Sequence, residues 1–151
     1  MDKKTICIDF DGVIHDYSKG YQGEDVFGQM IPNADVGTSV LKKNGWSIII
    51  FTTRKKTDKL EQWLKEHNIE YDYINENPTQ PDNASGKIIA DVYLDDRGIC
   101  FRGNWDSWLL RDIEEFEPWH ERQKREIEQM ITYDSIWERG NEHRIKHNCC
   151  I

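Results

Sequence analysis

A chain of 151 residues is long enough to bury a real core and reads as one domain. Its 28 Asp and Glu against 20 Lys and Arg, a formal charge of −8, argue against a broad phosphate-backbone binding face, while leaving room for a small phosphorylated ligand held by local positive charge. No run approaches the roughly 18 apolar residues of a membrane span, and the N-terminal MDKKTICIDF is too short in apolar residues for a signal peptide, so a soluble cytoplasmic protein with no membrane partner is expected. The four cysteines (Cys7, Cys100, Cys149 and Cys150) have no disulfide-framework spacing and fit a reducing compartment.

The first element is the apolar run Thr5–Asp9, which reads as a strand covered on both faces. Pro32-Asn33-Ala34 opens a helix that Asn44-Gly45 stops, and WSIIIFTT (Trp46 to Thr53) is a second buried strand. TDKLEQWLKEHNI places Leu60, Trp63 and Leu64 at helical spacing, YDYIN is a short third strand, and Asn75 to Gly86 is a Pro/Asn/Gly-rich loop. ADVYLDD is a fourth strand, followed by the helix NWDSWLLRDIEEF with Trp105, Trp108, Leu109 and Ile113 on its inner face. Alternating strands and helices predict an α/β fold with a mostly parallel, doubly wound, Rossmann-like sheet. From Glu117 the chain is charged and strand-free. Residues 117–151 read as a helical C-terminal appendage to a domain over 1–116, with Ile127, Met130, Ile131 and Trp137 as an apolar stripe in need of a partner surface. A docked lid and a homo-oligomer through this helix are the two uses considered for it; Trp119 and Trp137 are its candidate docking residues.

Chemistry-bearing residues fall at strand ends. Asp9 and Asp11 end the first strand, Thr52, Thr53 and Arg54 the second, and Asp95 and Asp96 the fourth, with Lys87 just ahead of it. Ligands of open parallel sheets bind beyond the carboxyl ends of the strands. Four converging carboxylates would repel one another unless a hard divalent cation neutralised them, and oxygen-only ligands suit Mg²⁺. Metal, lysine and hydroxyl together match what a phosphoryl group needs.

IDFDGVI, IIFTTR, Lys87 and YLDDR, in this order, resemble the four motifs of the haloacid dehalogenase superfamily over about residues 4–116. The resemblance implies a Mg²⁺-dependent phosphatase with Asp9 as nucleophile, forming an aspartyl-phosphate, and Asp11 as general acid and base with a pKa raised toward the operating pH. It implies Mg²⁺ ligands from the Asp9 carboxylate, the Asp11 backbone carbonyl, Asp96 directly and Asp95 directly or through water. Thr52, Thr53 and Lys87 would bind phosphoryl oxygens, and Gly12 would permit the turn that lifts Asp11 off the sheet.

The gaps Ile14 to Pro32 and Arg54 to Gly86 hold no folded cap, so the chain resembles the capless branch, with the flap HDYSKGYQGEDVFGQM beside the site. His15, Arg54 and Arg97 are candidate substrate contacts, weighed against a solvated loop for His15 and structural ion pairs for the arginines. Rival readings are a nucleotidase or nucleic-acid end phosphatase, where nucleic acid enters only as a strand end, and a non-catalytic module that stores a phosphoryl group. A zinc site from His143, His147, Cys149 and Cys150 is weighed against a frayed terminus.

Overall fold

The computed structural model describes residues 3–84 and 86–132. The chain divides into two compact units, Met1–Asn104 and Trp105–Ile151. The first contains β1 (Thr5–Ile8), α1 (Ala34–Lys43), β2 (Ser47–Ile50), α2 (Asp58–Glu66), β3 (Tyr73–Ile74) and β4 (Val92–Leu94). The second contains α3 (Ser107–Glu114) and, within its described residues, α4 over 119–132. Among the described residues no helix is long and apolar enough to cross a membrane.

The sheet is all parallel, in the order β3-β2-β1-β4. Strand residues alternate between its faces. Ile6 and Ile8 of β1, with Ile48 and Ile50 of β2, face one layer, where Leu60, Trp63 and Leu64 of α2 meet them and Ala34 and Leu41 of α1 pack alongside. Cys7 and Ile49 face the other way, against Ile88, with Phe51, Tyr73 and Ala90 at the margin. Within Met1–Asn104 both helices therefore lie on one face, and the segment around Ile88 covers the other. The connection from β3 to β4 is an irregular loop, as the Pro/Asn/Gly-rich stretch Asn75 to Gly86 predicted.

Local chemistry sets the element ends. The Thr57 hydroxyl accepts from the Leu60 N–H at 3.2 Å, starting α2 directly after the β2 loop. Asp72 ties β2 to the start of β3, accepting from the Ile48 N–H at 2.8 Å and from Lys42 Nζ at 2.6 Å. In α3 the expected inner face is not buried: Trp105, Trp108 and Ile113 are exposed. The Trp108 indole instead serves as a platform for Arg111, whose guanidinium lies 4.4 Å from the ring centroid three residues on. Ile127, Met130 and Ile131 of α4 are exposed; Trp137, His143, His147, Cys149 and Cys150 lie outside the described residues.

The β-face layer under α2 should dominate stability. Leu64 is fully buried, so Leu64→Ala should lower the unfolding free energy by about 2–5 kcal/mol, through lost transfer and a residual cavity. Urea denaturation measures this, and a loss under about 1 kcal/mol would place the core elsewhere.

Candidate functional site

β1 leads to β2 on one side, while β4 lies on its other side. The carboxyl ends of β1 and β4 therefore flank the crevice where the strand order switches. The Asp9 N–H donates to the Leu94 carbonyl at 2.9 Å and joins the two ends. Asp9 follows directly after β1 and Asp95-Asp96 directly after β4. One carboxylate oxygen from each of Asp9, Asp95 and Asp96 lies within 4.8 Å of the other two. Phe10, completely buried, is the anchor between the two motif acids, packed edge-on against Trp63 at 5.2 Å. Gly12 is buried with φ 89°, and a Cβ there would collide with the Asp96 carboxylate, so both backbone conformation and space require glycine.

The two acids of the first motif are driven in opposite directions. Burial pushes the Asp9 carboxyl up to about 7, the negative charges of Asp95, Asp96 and Asp11 add to the rise, and the Phe10 N–H, donating to Oδ1 at 2.7 Å, works against it. Three crowded oxygen donors of this kind fit a hard divalent cation, and Asp9, Asp95 and Asp96 could hold a metal ion. The Asp11 carboxylate is outside this cluster. Burial opposes its ionisation too, but hydrogen bonds from His15 and Arg54, with the Arg54 charge, outweigh burial and hold it below the usual carboxylate range. This corrects the raised Asp11 pKa that the family resemblance implied.

Arg54 and His15, the two side-chain partners of Asp11, are both buried. Arg54 is 6% exposed, with Nε donating to Asp11 Oδ2 at 2.8 Å and Nη2 to Oδ1 at 3.0 Å. Its Nη1 donates to the Gly23 and Glu24 carbonyls of the flap, both at 2.9 Å. Phe10, Phe27 and Tyr21 surround the guanidinium at 5.3–5.8 Å. Arg54 is thus held in a structural ion pair, one of the two roles weighed for it. His15 is 4% exposed and not a solvated loop residue: Nδ1 meets Asp11 Oδ1 at 2.9 Å, and the ring stacks on Phe10.

Asp9 and Asp11 share a cavity of about 540 Å³ with Thr52, Thr53, Asp95 and Arg97. Tyr17 of the flap and Phe51 complete its wall. Arg97 is exposed, and its N–H donates to Asp95 Oδ1 at 2.7 Å. Lys87 is not brought to this cavity: its Nζ sits 4.5 Å from the Tyr93 ring centroid, on the Cys7 side of the sheet. Asn75 is a supporting residue that sequence reasoning missed. With φ 56°, it accepts from the Thr52 N–H at 2.8 Å and donates to the Arg54 carbonyl at 3.0 Å, fixing the loop that carries both. An Asn closing a strand, tolerant of left-handed backbone, was the available signal.

No protein-family model and no curated protein matches the chain. Its fold is similar to that of a conserved protein coded by a locus of Bacteroides thetaiotaomicron, with a TM-score of 0.53 and 24% identity over 77% of this chain and 93% of that one. The likeness is one of fold alone, and the parallel α/β sheet described above is consistent with a Rossmann-like fold.

Two outcomes follow from the electrostatics. Between about pH 4 and about 7 the folded, metal-free protein keeps a proton on Asp9 that the unfolded chain has lost, so stability falls as pH rises through that window. The melting temperature in chelator should decline from about pH 4 to about 7, and Asp9→Asn should flatten that decline; parallel curves for the two proteins would contradict the assignment. Separately, Gly12→Ala should cost about 1 kcal/mol or more for the positive φ alone and should weaken divalent-cation binding by displacing Asp96. Calorimetric titration showing unchanged metal affinity in a folded variant would count against the Gly12–Asp96 packing.

Proposed function

We propose that this chain is a phosphatase of the haloacid dehalogenase type, using Mg²⁺ to hydrolyse a phosphomonoester through an aspartyl-phosphate on Asp9. One observation carries the reading. Asp9, at the carboxyl end of β1, belongs both to a three-carboxylate cluster suited to a hard cation and to the wall of a cavity that holds Asp11 and Thr52. Asp9, Asp95 and Asp96 would hold the cation, which when bound supplies the positive charge that offsets these carboxylates and an incoming phosphoryl group. Thr52, Thr53 and Arg97 line the space for phosphoryl oxygens.

In the first half-reaction an ionised Asp9 oxygen attacks phosphorus, the bond from phosphorus to the ester oxygen breaks, and that oxygen leaves as the anion or takes a proton from solvent. Asp11, held ionised by Arg54 and His15, is a poor proton donor at neutral pH. The first half therefore favours esters whose leaving oxygen needs little protonation, aryl over alkyl. In the second half Asp11 is a ready base: it takes a proton from water, the water oxygen bonds to phosphorus, and the bond from phosphorus to Asp9 breaks. Inorganic phosphate leaves, Asp11 releases the proton it took to solvent, and both carboxylates are regenerated.

An aryl phosphate supplied with Mg²⁺ should turn over many times. EDTA should abolish turnover and Mg²⁺ restore it, and Asp9→Asn should lower it by at least about a thousandfold. One phosphoryl transfer or none would favour a module that stores the group, and near-normal hydrolysis by folded Asp9→Asn would remove Asp9 from the chemistry. Phosphorylated metabolites and oligonucleotides with 3′- or 5′-phosphates, assayed in parallel, identify the substrate class.

A further inference from the structure

The His15 ring makes two polar contacts in a buried, aromatic setting. The Gly28 backbone N–H, which can only donate, points at Nε2 from 2.5 Å. Nε2 must therefore accept, and the ring proton resides on Nδ1, facing Asp11 Oδ1 at 2.9 Å. A proton on Nε2 would set two donors against each other. The ring is held in this orientation by stacking on Phe10 (centroids 5.1 Å apart, planes 2° apart) and by the edges of Phe27 and Trp63 at 6.1 and 5.7 Å.

An ionised carboxylate offers about four lone-pair directions. His15 and Arg54 Nη2 take two on Asp11 Oδ1, and Arg54 Nε takes one on Oδ2. One direction on Oδ2 is left. Both partners of Asp11 are also anchors of the flap: Arg54 through the Gly23 and Glu24 carbonyls, His15 through the Gly28 N–H. We infer that His15 is a positioning residue: as the Nδ1–H tautomer it occupies Asp11 Oδ1, directs Oδ2 toward the attacking water, and ties that aim to the backbone of the flap at Gly28. The role rests on the phosphatase reading above, and concerns its second half, in which the water proton passes to Asp11 Oδ2.

Two experiments on the full chain test this. In ¹⁵N-labelled protein, the ring signals lost in His15→Phe should show a protonated Nδ1 and an unprotonated Nε2; the opposite tautomer overturns the inference whatever the activity. In rapid-quench kinetics with Mg²⁺ and a series of aryl phosphates, His15→Phe keeps the ring packing but removes both nitrogens. It should slow phosphoenzyme hydrolysis roughly ten- to a hundredfold while sparing its formation. A larger burst of phenol should appear, and steady-state rates should become equal across leaving groups. His15→Asn, whose amide can donate from near the Nδ1 position, should recover part of the loss and guards against a misfolded Phe variant. Unchanged burst and leaving-group dependence in both folded variants would reduce His15 to a packing residue. If the wild type forms no phosphoenzyme and turns nothing over, the phosphatase reading itself fails, and the positioning role falls with it.

Discussion

The Asp11–Arg54 pair is the constraint on which the rest of the site depends. A guanidinium with a side chain 4% exposed is costly to bury unless its charge is paired and its donors find acceptors. Here a bidentate carboxylate takes two nitrogens, two flap carbonyls take the third, and three aromatic rings fill the space around the cation. Removing either charge would leave the other buried and uncompensated, an effect of about 3–5 kcal/mol. The pair therefore closes the flap over the β2 loop and orients Asp11 in one stroke. A segment from His15 to Met30 with no helix or strand of its own is held by these contacts and by two isolated bridges, Asp11 with His15 and His15 with Met30.

The same arrangement separates two carboxylates that sit one residue apart. Phe10 enters the core between them, so Asp9 and Asp11 fall into different surroundings. Asp9 is pushed toward neutrality by burial first and by two further carboxylates second, while Asp11 meets a ring N–H and a cation and is held ionised. Carboxylates with divergent proton affinities can divide chemical roles between them. One is then suited to bind a cation and, once deprotonated, attack; the other is suited to accept a proton. Gly12 belongs to the same design, since its missing side chain is the space that Asp96 fills.

Much of this was readable in the chain. The strands were legible because buried parallel strands are near-continuous apolar runs, and Cys7, Ile48, Ile49 and Ile50 are almost fully buried. The placing of acids and threonines at their ends followed from the geometry of parallel sheets, and Asp9, Asp11, Thr52, Thr53, Asp95 and Arg97 do share one cavity. The side-chain paths in the loops were not legible. Nothing in TTRKK says that Arg54 turns inward to an acid 43 residues earlier, because that choice is made by the flap carbonyls and by aromatic rings drawn from separate segments. His15 reads as a loop histidine until Phe10 and Gly28 enclose it. Lys87 reads as a phosphate ligand from its order in the motifs, yet its ammonium lies over Tyr93. The apolar spacing of α3 correctly marked a helix, but a stripe of tryptophans does not distinguish a buried face from one that seats an arginine.

The central claim is a covalent bond between Asp9 and phosphorus, and trapping it is the most direct measurement. Protein mixed with Mg²⁺ and excess aryl phosphate is quenched in acid during turnover, reduced with borohydride, and mapped by peptide mass spectrometry. An aspartyl-phosphate is reduced to homoserine, so the account predicts homoserine at position 9 and aspartate retained at position 11. Steady hydrolysis with both aspartates unmodified, or with the reduced residue at Asp11, Asp95 or Asp96 instead, would contradict it.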